Sequence, residues 1–354
     1  MGSHKISRRL FIKSGANAAV GAAMVVYGVG LLGRDPLRAP PVPFNPLDSR
    51  EVTPNEEFYT VDIDVVPPSL SATGWTLTVS GLVSDPLSLT LDQIQQMPTI
   101  DLYTTLECVG NAVGGDLIGT AQWSGVRLRD VLAAAGLQSD AEYIIFTCAD
   151  GYTAAIPTET ALLDGTLLAL GMNDAVLPPE HGYPLRAIVQ GLYGEMNAKW
   201  ITGIQAVSAE YLGYYALAGW TNDAPYQTGS SIATPGSAPV ADVFGILGSS
   251  SVPLGRVPIA GMAFAGDRGI SKVEVSADGG ATWSPASMKD PLSDYTWVLW
   301  SAYWNPPSTG GYALVVRATD GQGNAQTATI TTPFPAGATG YHTVDVTVVQ
   351  SESG

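Results

Sequence analysis

Apolar and polar positions change period repeatedly along this chain, as in folds that join strands through short helices and turns. Trp75-Thr76-Leu77-Thr78-Val79-Ser80-Gly81 alternates with a period near two and predicts a half-buried strand. Leu128 to Ala135 (Leu-Arg-Asp-Val-Leu-Ala-Ala-Ala) is a helical run, with Gly136 as its stop. Further strands are predicted at 143–148 and 186–190. Between about Thr228 and Ser251, Gly and Ser accumulate and mark a linker or loop-rich crossover. From Val257 the pattern becomes short strands punctuated by turns: Lys272 to Ser276 alternates, Asp278-Gly279-Gly280 turns, and Tyr295 to Trp300 and Tyr312 to Ala318 are strands. Asp320-Gly321-Gln322-Gly323-Asn324 turns again. That cadence predicts an immunoglobulin-like β-sandwich, with Trp283, Trp297, Trp300 and Trp304 in or around its core. The fold class is α+β: a mixed α/β region over 58–240, then a sandwich over 241–350.

Composition narrows the function. At 354 residues the chain can bury two substantial cores. Its 32 acidic and 16 basic residues give a net charge of −16, which repels phosphate backbones and argues against nucleic acid as a partner. The two cysteines sit in dissimilar contexts and form neither a disulfide framework nor a cysteine-rich metal site. Three histidines, His4, His181 and His342, make a multi-histidine metal centre improbable. No Cys-x-x-Cys-His motif is present, so redox chemistry would use a carried cofactor and pass electrons to a separate partner.

The N-terminal stretch reads as an address. Ser7-Arg8-Arg9-Leu10-Phe11-Ile12-Lys13 precedes a mildly apolar run, roughly Ala16 to Leu32. Paired arginines before such a run mark a twin-arginine export signal, with a general secretory signal or a membrane anchor as the alternatives. Residues 1–33 are therefore assigned as export signal or anchor, and the Pro-rich 34–57 as a connector. The run is about long enough to span a bilayer, and an uncleaved membrane tether is an open alternative. This places the protein in the periplasm or on the outer face of the cytoplasmic membrane.

Cys108 is the candidate for chemistry. It ends a β-like run, Thr105-Leu106-Glu107-Cys108, and Gly110 and Asn111 turn the backbone just after it. A sulfur presented at a strand end suits covalent catalysis or a soft metal. Cys148, inside Tyr143-Ile144-Ile145-Phe146-Thr147-Cys148, reads as inert filler.

Several segments fall in one recognisable order. They run from Trp75 through Asp92 and the Cys108 loop to Trp123-Ser124-Gly125-Val126-Arg127-Leu128, and on to Asp150-Gly151-Tyr152-Thr153. His181-Gly182-Tyr183-Pro184-Leu185-Arg186, Gly191-Leu192-Tyr193-Gly194 and Asn197-Ala198-Lys199-Trp200 follow. This set resembles the sulfite oxidase family of molybdopterin-dependent oxidoreductases. Ile259 to Gly266 and Val273 to Trp283 resemble that family's C-terminal dimerisation domain, which implies a homodimer.

The resemblance implies a cofactor, molybdopterin carrying molybdenum, with Cys108 as the protein's thiolate ligand and catalytic centre. It implies that His181, Arg186 and Lys199 hold the pterin and its phosphate, with Asn197 and Ala198 on the same stretch. Asn55, Phe58 and Tyr59 match an Asn-x-x-Phe-Tyr element that contacts the cofactor in bacterial relatives. Asp150 falls where relatives contact the pterin, with a plain turn aspartate as the alternative. The implied activity is oxygen-atom transfer to or from a small oxyanion or S-oxide, with electrons exchanged with a cytochrome or quinol system.

Departures from the pattern bear on the substrate. Val61 and Ala112 stand where sulfite-oxidising relatives carry arginines, and Leu217 stands near their substrate-site tyrosine. Anionic sulfite needs positive charge to offset its desolvation. Tyr214, Tyr215 and Arg127 are the residues available as substitutes. Alternatives are a reductase of S-oxides resembling the periplasmic methionine-sulfoxide reductase, a non-catalytic cell-surface scaffold, and, last, a cysteine hydrolase.

Overall fold

The alternation at 76–81 becomes strand β1 (Thr76–Gly81), in which Leu77 and Val79 are buried between exposed neighbours. The computed structural model describes residues 51–64, 66–223, 225–236 and 250–350. The predicted export segment, the first part of the connector and residues 237–249 lie outside them. Among the described residues no helix is long and apolar enough to cross a membrane.

β1 belongs to a five-stranded sheet with β2 (Leu87–Thr90), β5 (Tyr143–Cys148), β6 (Thr153–Pro157) and β10 (Ile201–Val207), in the order β2-β1-β10-β5-β6. β1 and β10 are parallel; the other pairs are antiparallel. A second sheet runs β3 (Thr99–Glu107), β4 (Ile118–Arg127), β7 (Leu167–Met172), β8 (Ala175–Val176), with β9 (Arg186–Ile188) on the side of β7. Its strands β4, β7 and β9 are buried on both faces: Val126, Leu168 and Ala187 enter the large core, while Ala121, Trp123, Leu167 and Ile188 pack with Phe58 on the other side. Successive side chains on one strand therefore serve two cores, as the pleat requires.

Among the described residues helices are few and short. α1 (Leu91–Gln95) starts at Thr90 in a capping box with Gln93, and α2 (Leu128–Ala134) is the longest of those described, at seven residues. α2 stops where the chain predicts, because Gly136 takes a left-handed φ of 65° that L side chains adopt at a cost. The remaining α-helices, α3 (Thr158–Ala161) and α4 (Tyr214–Leu217), are single turns. The first region is thus mostly sheet, with less helix than an α+β reading implies: its apolar runs are too short to cover a sheet with long helices.

The C-terminal region is a β-sandwich. One sheet orders β11 (Gly229–Thr234), β13 (Val257–Phe264), β17 (Val298–Trp304) and β16 (Ser287–Met288) as β11-β13-β17-β16. The other runs β12 (Ser250–Pro253), β19 (His342–Val349), β18 (Gly310–Asp320), β14 (Ile270–Ser276) and β15 (Ser284–Pro285). Ile259, Val273, Val275, Trp300, Leu314, Val316, Val344 and Val346 fill the space between them.

Two local expectations shift. β11 lies inside the Gly/Ser-rich stretch read as linker, because pairing with β13 and burial of Ser230 and Ile232 override weak strand propensity. The strand expected at 295–300 starts at Val298, which leaves Trp297 outside it. Trp297 and Leu299 instead join the core of the first region, whereas Trp300 enters the sandwich and Trp304 packs against it. Trp283 is half-buried under the Arg317 guanidinium, 4.1 Å from its ring centroid. The segment 293–297 also stitches the sandwich to β3: Ser293 Oγ donates to Tyr103 O (2.7 Å), Thr105 N to Tyr295 O (3.0 Å) and Trp297 N to Thr105 Oγ1 (2.9 Å).

Candidate active site

β3 ends at Glu107, and the next residue is Cys108. The loop that follows is closed by its own hydrogen bonds: Cys108 N donates to Leu117 O (2.9 Å), Asn111 N to Cys108 O (2.9 Å), and Leu117 N to Asn111 Oδ1 (3.1 Å). Asn111 Nδ2 donates back to Glu107 Oε1 (2.9 Å), so one asparagine ties both ends of the loop. Gly110 N donates to Cys108 Sγ (3.4 Å), and Cys108 lines a cavity.

Burial pushes the Cys108 thiol up to about 12, with the Glu195 and Glu107 carboxyls adding to it and only the Gly110 N–H opposing. A thiol held that high is a poor nucleophile near neutral pH. A bound cation would displace its proton, so this environment favours a metal ligand over covalent catalysis. Cys148 is buried within β5, and burial pushes its thiol up as well, in keeping with inert packing.

The cavity gathers most of the residues singled out in the sequence. Phe58, Tyr59, Cys108, Asp150, His181, Arg186, Asn197, Ala198 and Lys199 all line it. Asn55 is outside the lining. Its amide donates to Met172 O (3.2 Å) and accepts from Asn173 Nδ2 (2.7 Å), while its carbonyl accepts from His181 Nε2 (2.8 Å). Asn55 therefore holds His181 in place, and Phe58 packs edge-on to the same ring at 5.6 Å. The residues before Phe58, read as the end of a connector, are docked into the fold: Thr53 N donates to Thr120 O (2.7 Å) and Trp297 Nε1 to Glu51 O (3.0 Å).

The cationic part of the cavity is strongly constrained. Arg186 donates from Nη1 to His181 O (2.9 Å) and from Nη2 to Asn197 O (3.1 Å), and its guanidinium carbon lies 4.8 Å from the Trp123 ring centroid. Burial lowers it to about 10, and its Nε has no hydrogen-bond partner. Lys199 pairs with Asp62, donates to Glu180 O (3.0 Å) and lies 4.4 Å from the Trp200 ring centroid. Trp200 itself has φ 54°, a conformation costly for a bulky residue and typical of strain stored at functional sites. Asn197 is a bracket: its Oδ1 accepts from Val189 N (2.7 Å) and its Nδ2 donates to Tyr193 O (3.1 Å). Gly194 completes the approach, since a Cβ there would lie 2.8 Å from the Tyr59 hydroxyl and 3.2 Å from Glu107 O.

Asp150 fits both of its readings, because it lines the cavity and accepts from Tyr152 N (3.0 Å) in a turn. Burial raises its carboxyl above the ordinary range. Val61 lines the cavity, Ala112 does not, and Leu217 is 70% exposed. Of the candidate substitutes, Tyr215 lines the cavity, whereas Tyr214 is exposed and Arg127 lies outside the lining. The sequence reading missed Asp62, Tyr152, Glu195 and Trp220, all of which line the same cavity. Only a carboxylate-poor, apolar neighbourhood around Glu195 hinted at its burial.

A large cavity with one soft sulfur, a partly unsatisfied guanidinium and a lysine suits a bulky, phosphorylated, metal-bearing cofactor. Residues 64–215 match the family described as "Oxidoreductase molybdopterin binding domain", and 239–348 that described as "Mo-co oxidoreductase dimerisation domain". The chain is thus a molybdopterin-dependent oxidoreductase. It belongs to the sulfite oxidase family, carries that family's C-terminal dimerisation domain, and has Mo-molybdopterin as its cofactor.

It is 28% identical to sulfite oxidase of Arabidopsis thaliana over 342 residues, covering 83% of this chain and 86% of that one. It is 30% identical to the mitochondrial sulfite oxidase of Homo sapiens over 349 residues, and there spans 63% of the relative's length. The oxidoreductase YuiH of Bacillus subtilis (strain 168) is 32% identical over 176 residues, which is 49% of this chain and 87% of that one. The fold is that of the sulfane dehydrogenase SoxCD from Paracoccus pantotrophus, with a TM-score of 0.68 at 22% identity over 83% of this chain and 80% of that one. The dimerisation domain supports a homodimer.

Proposed function

We propose that this chain is an exported oxidoreductase that transfers an oxygen atom at a molybdenum centre ligated by Cys108. The observation that carries the reading is the placing of a hydrogen-bonded sulfur in the same cavity as Arg186 and Lys199. When bound, the cofactor supplies two-electron oxygen-atom chemistry and single-electron steps to an outside carrier. The residues supply the rest. Arg186 and Lys199 would hold the phosphate, as the guanidinium and the ammonium on the cavity lining. His181 is fixed by Asn55, while Asn197 and Ala198 shape the backbone against which the pterin would rest. Phe58 and Tyr59 stack 5.4 Å apart and exclude water from that end.

Electrons would be exchanged with a cytochrome or quinol system, as befits a chain without a haem-attachment motif. Export by the twin-arginine route, supported by Ser7-Arg8-Arg9, would place the enzyme in the periplasm or on the outer membrane face. Purified holoenzyme should contain molybdenum and molybdopterin. Cys108→Ser should keep the pterin and lose turnover by a factor of at least about 10³, on the scale expected for a group acting only in the transition state. Wild-type activity in that variant would remove Cys108 from the mechanism.

A further inference from the structure

We propose that His342, on the dimerisation domain, is a positioning residue for the Cys108 loop: its imidazole bears on Gly114 and so fixes where the Cys108 sulfur sits. The proposal rests on the reading of Cys108 as the metal ligand and deepens it, by assigning part of the site's geometry to the second domain.

His342 opens β19, where it pairs with Val316 of β18. Its Nδ1 accepts from Ile232 N of β11 (2.9 Å), so the ring is oriented by a bond that joins the two sheets of the sandwich. The other edge of the ring faces the first region. A Cβ at Gly114 would lie 2.3 Å from His342 Cδ2 and 2.4 Å from Nε2, distances that no side chain tolerates while the ring stays in place. Gly114 also has φ 73°, so the loop meets the ring with bare backbone in a conformation that suits glycine. His342 is outside the lining of the Cys108 cavity, and any influence it has on the site passes through the loop.

From Gly114 the contacts continue to the cysteine itself. The next residue, Gly115, packs on Asn111, since a Cβ there would lie 2.3 Å from Asn111 Oδ1. Gly115 N donates to Ala112 O (2.8 Å), Leu117 N to that same Oδ1 (3.1 Å), and Asn111 N to Cys108 O (2.9 Å). His342, Gly114, Gly115, Asn111 and Cys108 thus form one unbroken series of packed and hydrogen-bonded groups. Along such a series a displacement at one end reaches the other. Beside this contact the loop and the sandwich stand apart: Asn111, Ala112 and Val113 border a second cavity whose lining includes Ser230 and Gln326 of the sandwich. Where a cavity replaces close packing, a single contact carries more of the restraint.

The test uses holoenzyme, with molybdenum and pterin measured in every preparation. Two signals are read: hydrogen exchange of the 108–117 peptide, and the thiolate-to-molybdenum charge-transfer absorption of the oxidised enzyme. His342→Asn keeps an acceptor for Ile232 N but lacks the half of the ring that reaches Gly114. It should speed exchange in 108–117 about 10-fold, on the scale of deleting a few packed atoms, and shift the absorption. β18 should stay as protected as in wild type, whereas a residue that merely stabilised the sandwich would loosen β18 and leave the absorption in place. Gly114→Asn probes the same contact from the loop and leaves the sandwich sequence intact, so it decides the matter even if His342→Asn does not fold. Asparagine tolerates a positive φ, so its collision with the imidazole dominates, and exchange should again rise about 10-fold with a shifted absorption. In the double variant the shorter side chain at 342 makes room, and the two effects should be less than additive. Unchanged exchange or an unmoved absorption in Gly114→Asn or in folded His342→Asn, or strict additivity, overturns the inference and leaves the metal site standing. Molybdenum-loaded wild type without that absorption overturns the Cys108 reading and this inference with it.

Discussion

Two buried carboxyl groups show how differently the two regions of this molecule treat polar atoms. In the sandwich, Asp320 is 1% exposed and saturated: it accepts from Arg268 Nε (2.9 Å), Asn324 N (2.8 Å) and Gln322 N (3.1 Å). Burial pushes its carboxyl upward, but the hydrogen bonds from Asn324 and Arg268 win and hold it below the ordinary range. In the cavity region, Glu195 is nearly as buried and has no partner. Among the described residues, every buried side-chain group lacking a hydrogen bond lies in that region, apart from Trp300 Nε1. A region whose task is assembly satisfies its polar groups internally. In the cavity region the unmatched groups include Arg186, Glu195 and Trp220 on the cavity lining, each left so at a cost in stability.

The contrast can be broken by removing each carboxyl in turn and following denaturant unfolding of the holoenzyme. Asp320→Ala strands the Arg268 guanidinium and the Asn324 turn, and should cost about 3 kcal/mol, the scale of losing one partner of a buried pair. An effect under about 1 kcal/mol would mean that the sandwich does not depend on this network.

Glu195→Gln should act in the opposite direction. The folded carboxyl sits near 8 against an ordinary 4.5, so across that window the native state holds a proton that the unfolded chain has released. Wild-type stability contributed by this group is therefore fully present below about 4.5 and is lost as pH rises towards 8, by up to about 1.4 kcal/mol per unit. The tyrosines around it, Tyr152, Tyr193 and Tyr215, are themselves raised by burial and stay neutral through the window. Relative to wild type, the variant should gain stability between pH 5 and pH 8; a flat difference would refute the buried, protonated acid.

A smaller effect of the other sign is expected in the sandwich. His342 Nδ1 accepts from Ile232 N (2.9 Å), which requires a neutral ring at that nitrogen, and burial lowers its pKa. The unfolded histidine takes up a proton as pH falls below about 6.5 while the folded one resists, so stability should decline there by about 1 kcal/mol or less. His342→Gln should flatten that slope; an unchanged slope would assign it to other groups.

Much of the fold was legible because it depends on local pattern. Leu77 and Val79 alternate with polar residues and form a strand, Gly136 stops α2, and 143–148 pairs as a buried strand. The sulfur was legible as well, since a strand end followed by Gly110 and Asn111 is a local arrangement. Trp297 was misplaced because a tryptophan near a strand start can serve either neighbouring core, and contacts 192 residues away decide which. Asp62 could not be found beside Lys199, because nothing local links residues 137 apart. Asn55 likewise matched a motif, yet its side chain is spent on Asn173 and Met172.

By itself, then, the sequence determined the strand pattern, the sandwich, the cysteine at the strand end and the order of motifs that places the chain in its family. Each of these is written in neighbours a few residues apart, where backbone geometry alone converts spacing into direction. Tertiary structure decided the electrostatics of the site: which cation is already paired, which carboxyl is buried unmatched, and which aromatic residues share the cavity lining with Cys108. Those properties depend on distance through space and on exclusion of water, and both exist only once segments far apart in the chain have been brought to one cavity.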